Sequence, residues 1–136
     1  MIPKMLSESD FCIGSMFEAS EGKQRRCIIG HCMDSGVPTI FRKMLTYTCA
    51  MCLTDPEQWR RLSPERAAAK SYGARDEIAQ DLGIFTKNLP AFSAEDWPNL
   101  CWVKVRCNDE QGPKTAAKAW NLAVDMFEQH QKVGVP

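Results

Sequence analysis

The chain has 136 residues, 44% of them apolar and 25% charged, with 17 Lys and Arg balanced by 17 Asp and Glu. That supplies one sizeable core and excludes wholesale disorder, and no apolar run reaches the roughly 18 residues of a membrane-spanning helix. Cysteine is odd in number, at seven, and Met1 to Glu21 carries no basic-then-apolar leader, which disfavours a secreted disulfide scaffold and points to a reducing cytoplasm.

Residues 1–21 are weakly patterned. Phe11, Cys12, Ile13, Met16 and Phe17 predict a short helix or strand at the edge of the core, and Gly22-Lys23 a turn. Residues 24–52 read as β-like. Cys27-Ile28-Ile29 predicts a strand and Asp34-Ser35-Gly36 a turn. Thr39-Ile40-Phe41 and Leu45-Thr46-Tyr47-Thr48 predict further strands, with Pro38 confining its strand to an edge.

The same stretch holds four thiols and an imidazole, as Cys27-Ile-Ile-Gly-His31-Cys32 and Cys49-Ala-Met-Cys52. Two close pairs of soft ligands on two turns are the spacing of a structural zinc site, because both turns can converge on one tetrahedral ion. Cys27, Cys32, Cys49 and Cys52 form the first ligand set, with His31 an alternative to its neighbour Cys32. A second set joins Cys49 and Cys52 to Cys101 and Cys107. The competing readings are buried apolar cysteines and a reactive thiol.

Charge is uneven along the chain. From Gly22 to Lys70 nine basic residues face four acidic ones, and the remainder is acidic by the same margin. Arg25, Arg26, Arg42, Lys43, Arg60 and Arg61 are the candidate partner-binding residues of that basic half, against either phosphate or an acidic protein surface. A dipolar, inert surface is the plain alternative.

Asp55-Pro56-Glu57-Gln58 and Ser63-Pro64-Glu65 each combine a cap with proline at the first helical position, predicting helices over 56–62 and from 64 to about 82, ended by Gly83. Arg75 to Ile84 resembles the first helix and turn of a helix-turn-helix DNA reader, but Pro90 would break a recognition helix after it, so 75–88 reads as an amphipathic helix with a glycine stop. Residues 84–100 read as mostly irregular.

Cys101 to Arg106 alternates in period two and predicts a half-buried strand. After Gly112-Pro113 a helix is predicted over about 114–131, with Ala116, Trp120, Ala123 and Phe127 on its buried face and a frayed tail from Lys132. The four Trp, at 59, 97, 102 and 120, are too scattered to form a base-stacking strip and read as core or interface. The expected architecture is α+β in a single domain, residues 1–136. A small β-rich, zinc-stapled lobe at 22–54 precedes a helical and strand-plus-helix part at 55–136. No catalytic residues are assigned: His31 and His130 stand in no metalloenzyme pattern, and no Gly-rich phosphate loop or Gly-x-Ser-x-Gly elbow is present.

Val103-Lys104-Val105-Arg106-Cys107-Asn108-Asp109, Gly112-Pro113 and Ala116-Ala117-Lys118-Ala119-Trp120-Asn121 together resemble the second half of the Lar-type restriction-alleviation proteins, small phage and prophage zinc-ribbon proteins. Of that family's zinc ligands only Cys107 has a counterpart; Glu110 stands where its partner thiol would fall. The resemblance implies a phage or mobile-element accessory protein. On that basis the expected function is non-enzymatic binding of a host protein complex, inhibiting a restriction or CRISPR-type defence. The alternative is a zinc-containing nucleic-acid-binding regulator using the basic half, 22–70.

Overall fold

The computed structural model describes residues 3–15, 17–20, 22–53 and 97–134. The chain is α+β: among the described residues a two-stranded antiparallel sheet is joined by four helices. The helices predicted at 56–62 and 64–82, the segment 75–88, and Arg60 and Arg61 lie outside the described residues.

A 3-10 turn, Glu8–Asp10, opens the fold, with Asp10 accepting from the Ser7 backbone N–H at 2.8 Å. Strands β1 (Phe17–Ser20) and β2 (Lys23–Arg26) form a hairpin in the register Phe17↔Arg26, Glu18↔Arg25. Gly22 turns it at φ +76°, a left-handed value open to glycine.

From Ile28 onward the predicted strands are helices. Helix α1 spans Ile28–Ser35 and α2 spans Thr39–Met51. Cys27 caps α1, its Sγ accepting from the Gly30 N–H at 3.4 Å, and Gly36 ends it in the left-handed conformation. Val37 N–H then donates back to the Cys32 carbonyl, satisfying an orphan acceptor of the last turn. Pro38 is the N-cap of α2 and not an edge-strand residue. Arg42 fixes this corner from inside, donating to the Val37 carbonyl at 2.9 Å and the Thr39 hydroxyl at 2.8 Å.

The physical reason for the change is burial. Every residue from Ile28 to Met33 is buried, so α1 has no polar face for periodicity to reveal. In α2 the inward residues Phe41, Leu45, Thr48 and Cys49 keep helical spacing, and this outweighs the β-branched content.

Cys101–Arg106 is likewise not a strand. Helix α3 (Trp97–Trp102) runs directly into a π-helix, Val103–Asp109. Trp102 and Lys104, which alternation would expose, are buried beside Cys101 and Val103. Helix α4 spans Pro113–Gly134, three residues longer than predicted at its C-terminal end, with proline at its first position after Gly112 at φ +94°. Its predicted face is the buried one: Ala116, Ala119, Trp120, Ala123 and Phe127 are all sequestered.

One apolar cluster draws on α1, α2, α3, the π-helix and α4. Helix α2 lies along α4, where the Phe41 ring meets Trp120 edge-on at 5.0 Å and Phe127 at 5.8 Å. The N-terminal segment is strapped across α4: Trp120 Nε1 donates to the Lys4 carbonyl at 2.8 Å, and the Asn121 amide both donates to and accepts from the Leu6 backbone.

Candidate functional site

The nominated metal ligands occupy different parts of this core. Cys27 is the cap of α1, and burial pushes its thiol up to about 12. Cys32 sits within α1, and burial raises its thiol too. Cys49, in α2, is fully buried; burial first, then the nearby Cys107 of the π-helix, raises its thiol well above the ordinary range. Cys52 ends α2, half-buried, with its thiol raised by desolvation and then by Cys107. Cys101 is buried in α3.

His31 is buried within α1. Its Nε2 meets the Asp10 carbonyl at 2.7 Å and its ring packs edge-on against Phe11 at 4.8 Å, and burial lowers its pKa. Among the described residues no group of three or more His, Cys, Asp or Glu side chains is arranged to hold a metal ion.

Thiols raised by burial are poor nucleophiles at neutral pH. The Cys49-x-x-Cys52 pair also sits at a helix C-terminus, where the dipole disfavours a thiolate.

The basic residues are largely engaged within the fold. Arg42 is buried at the α1–α2 corner. Arg26 reaches Asp34 at 3.4 Å and lies 5.6 Å from the centre of the Phe17 ring. Arg25 stands opposite Glu18 in the hairpin register, and Lys23 bonds Ser9 and lies 3.4 Å from Asp10. Lys43 is exposed on α2. Phosphate binding would require these cations to be presented together on one face.

A concavity lies elsewhere, on the α2–α4 pair. It is an open groove of about 570 Å³. Thr48 is buried at its floor, with its hydroxyl donating to the Ala119 carbonyl at 2.8 Å. Met51, Leu122 and Met126 line it, and Asp125, Gln129 and His130 form an exposed polar rim.

No protein-family model, curated protein or solved structure matches this chain.

The groove was not among the sites that the residues suggested, although a signal was present. Leu122 and Met126 are spaced i, i+4 on α4 but lie off the Ala116–Trp120–Ala123–Phe127 face. This is a second apolar stripe on a helix whose first stripe already fills the core. Met51 is 55% exposed at the edge of the groove, and Tyr47 on the preceding turn is 52% exposed, so the apolar surface continues past its lining. No helix among the described residues is long and apolar enough to cross a membrane.

Proposed function

We propose that this chain is a non-enzymatic accessory protein that works in the cytoplasm by binding a protein partner through the α2–α4 groove. The observation that carries this reading is the groove itself: an open apolar trough on two helices already packed to one another, floored by a hydrogen-bonded threonine and lined by methionines. Thioether side chains adapt to a partner's shape at little cost, and helical grooves of this kind receive amphipathic helices. The occupant is an amphipathic helix of the partner, with its apolar stripe on Met51, Leu122 and Met126 and a Lys or Arg against Asp125.

The engaged state of Arg26 and Arg42 supports a protein partner over nucleic acid. That the partner is a host defence complex of the restriction or CRISPR type, and that the chain is of phage or mobile-element origin, rests on the Lar-type resemblance of residues 103–121 alone. A structural zinc rests on cysteine spacing alone. Elemental analysis of chain purified without added metal reads it directly: about one zinc per chain supports it and none removes it.

The test of function is plating efficiency. Unmodified phage is plated on restricting and on CRISPR-armed hosts that express the chain, its Met126→Glu variant, or a Lys114→Glu control. Raised plating that Met126→Glu abolishes and Lys114→Glu retains is the expected result. Unchanged plating on both hosts overturns the defence reading, and equal activity of Met126→Glu overturns the groove.

A further inference from the structure

Helix α2 carries a second apolar row, turned away from the core. Ile40, Met44, Tyr47 and Met51 are spaced four, three and four residues apart, which sets them within a strip about 60° wide. The buried residues of the same helix, Phe41, Leu45 and Cys49, are centred about 130° around from that strip. Ile40 is 39% exposed, Tyr47 52% and Met51 55%, with Met44 half-buried between them. The row touches the groove only at Met51; Leu122 and Met126 belong to α4. Apolar residues in alternating three and four spacing are what one helix presents to another.

Two properties fit this row to a copy of itself. The first is its symmetry. Ile40 and Met51 are equally far from the point between Leu45 and Thr46, and so are Met44 and Tyr47. A two-fold axis at that point lays a second α2 antiparallel on the first, with Ile40 on Met51 and Met44 on Tyr47 in both directions. The second is charge. Helix α2 has no acidic residue, its Arg42 is buried, and its exposed cation, Lys43, stands in the N-terminal half. Its last turn holds no basic residue. Antiparallel pairing brings Lys43 of each copy alongside the last turn of the other, where the partial negative charge of the carbonyl end lacks a cation of its own. The two Lys43 are staggered by about 7.5 Å along the helices, so like charges do not meet.

We propose that the outer row of α2 is a self-association surface, and that two copies of this chain form a two-fold dimer through antiparallel α2 helices. The seam uses neither Leu122 nor Met126, so it stands whether or not the groove takes a partner helix. Four side chains per copy make a small interface, and the dimer is accordingly weak and concentration-dependent.

Sedimentation equilibrium of the full chain from about 10 µM to about 1 mM tests this. The mass should rise with concentration from 15.4 kDa toward twice that value. Tyr47→Glu sets a carboxylate at the centre of the seam and should weaken association roughly tenfold or more, whereas Met126→Glu should leave it unchanged. Ile40→Glu and Met51→Lys should each weaken it alone. Combined in one chain they place opposite charges in contact twice and should restore roughly tenfold of the loss. All four positions are at least partly exposed, and circular dichroism checks that each variant keeps the native helix content. A constant 15.4 kDa at every concentration overturns the dimer. Association that survives Tyr47→Glu, or is lost in Met126→Glu, overturns the seam. A double variant no stronger than its weaker parent overturns the antiparallel register.

Discussion

Lys104 and Asp109 are five residues apart and meet at 2.8 Å because the helix between them is a π-helix. In an α-helix, side chains five apart point about 140° away from one another. The wider i→i+5 turn stacks them, so the ammonium is neutralised where it is buried. Asp109 also accepts from Gly14 N–H at 3.1 Å and from the Asn108 amide at 2.9 Å. Asn108 in turn donates to the Cys12 carbonyl and accepts from Ile28 N–H, each at 2.8 Å, covering an orphan donor at the start of α1. The π-turn thus ties the Cys12–Gly14 backbone and the start of α1 to one point.

Removing one partner of this pair should cost far more than replacing the other with an apolar isostere. Asp109→Ala leaves a buried ammonium without its carboxylate and should destabilise the fold by about 3–5 kcal/mol, whereas Lys104→Met should be much milder. Urea unfolding of both variants checks this, and equal losses would show that the ion pair is not what holds the turn.

Trp120 packs against Phe41 and also donates to the Lys4 carbonyl. Trp120→Ala should cost about 3–5 kcal/mol through the cavity it leaves. Trp120→Phe should keep most of the packing and lose about 1 kcal/mol with the hydrogen bond. A change below about 1 kcal/mol in Trp120→Ala would contradict its place in the core.

His31 makes stability depend on pH. Its pKa is lowered from 6.5 by burial between Phe11 and Trp120, with Arg26 adding to the effect, while the Asp10 carbonyl and the Asp10 and Asp34 carboxylates oppose it. Below pH 6.5 the unfolded chain therefore binds more protons than the folded one, so stability is complete above 6.5 and falls as pH drops from 6.5 through the folded value. Asp10, lowered from 3.8 chiefly by the Ser7 backbone N–H, adds a separate loss at lower pH. Urea midpoints measured from pH 7.5 to 5 should decline in the native sequence and lie flatter in His31→Gln; parallel curves would remove His31 as the cause.

Gly36 closes α1 at φ +57°, and nothing lies within 4 Å of where a Cβ would stand. Gly36→Ala should therefore cost only the backbone term, about 1–2 kcal/mol. A larger loss by thermal unfolding would point to a steric role that the open space denies.

The parts of the fold legible in the sequence were those whose residues keep one polar side. Helix α4 and its Ala116–Trp120–Ala123–Phe127 face could be read because Lys114, Lys118 and Asp125 mark the solvent side. Helix α1 could not, because burial on all sides erases its period, and Ile28-Ile29 then speaks for a strand. The π-helix was illegible for a different reason. Its inward lysine pairs with Asp109 five places on, and Lys104 between two valines imitates the alternation of a strand. For the cysteines, spacing drew attention to Cys49 and Cys52. It could not show that Cys107, carried by the π-helix, would act on both of them.

The strap over α4 bears on how the chain is made. Leu6 and Asn121 are 115 positions apart, and Lys4 and Trp120 are 116. During synthesis the Lys4–Leu6 segment must wait for α4 before its bonds to Trp120 and Asn121 can form, after α1 and α2 have already been made. Until then the surfaces of Phe41 and Leu45 that α4 will cover stay open to solvent and to other chains. Docking of α4, and not the emergence of any early element, is the event that closes this core.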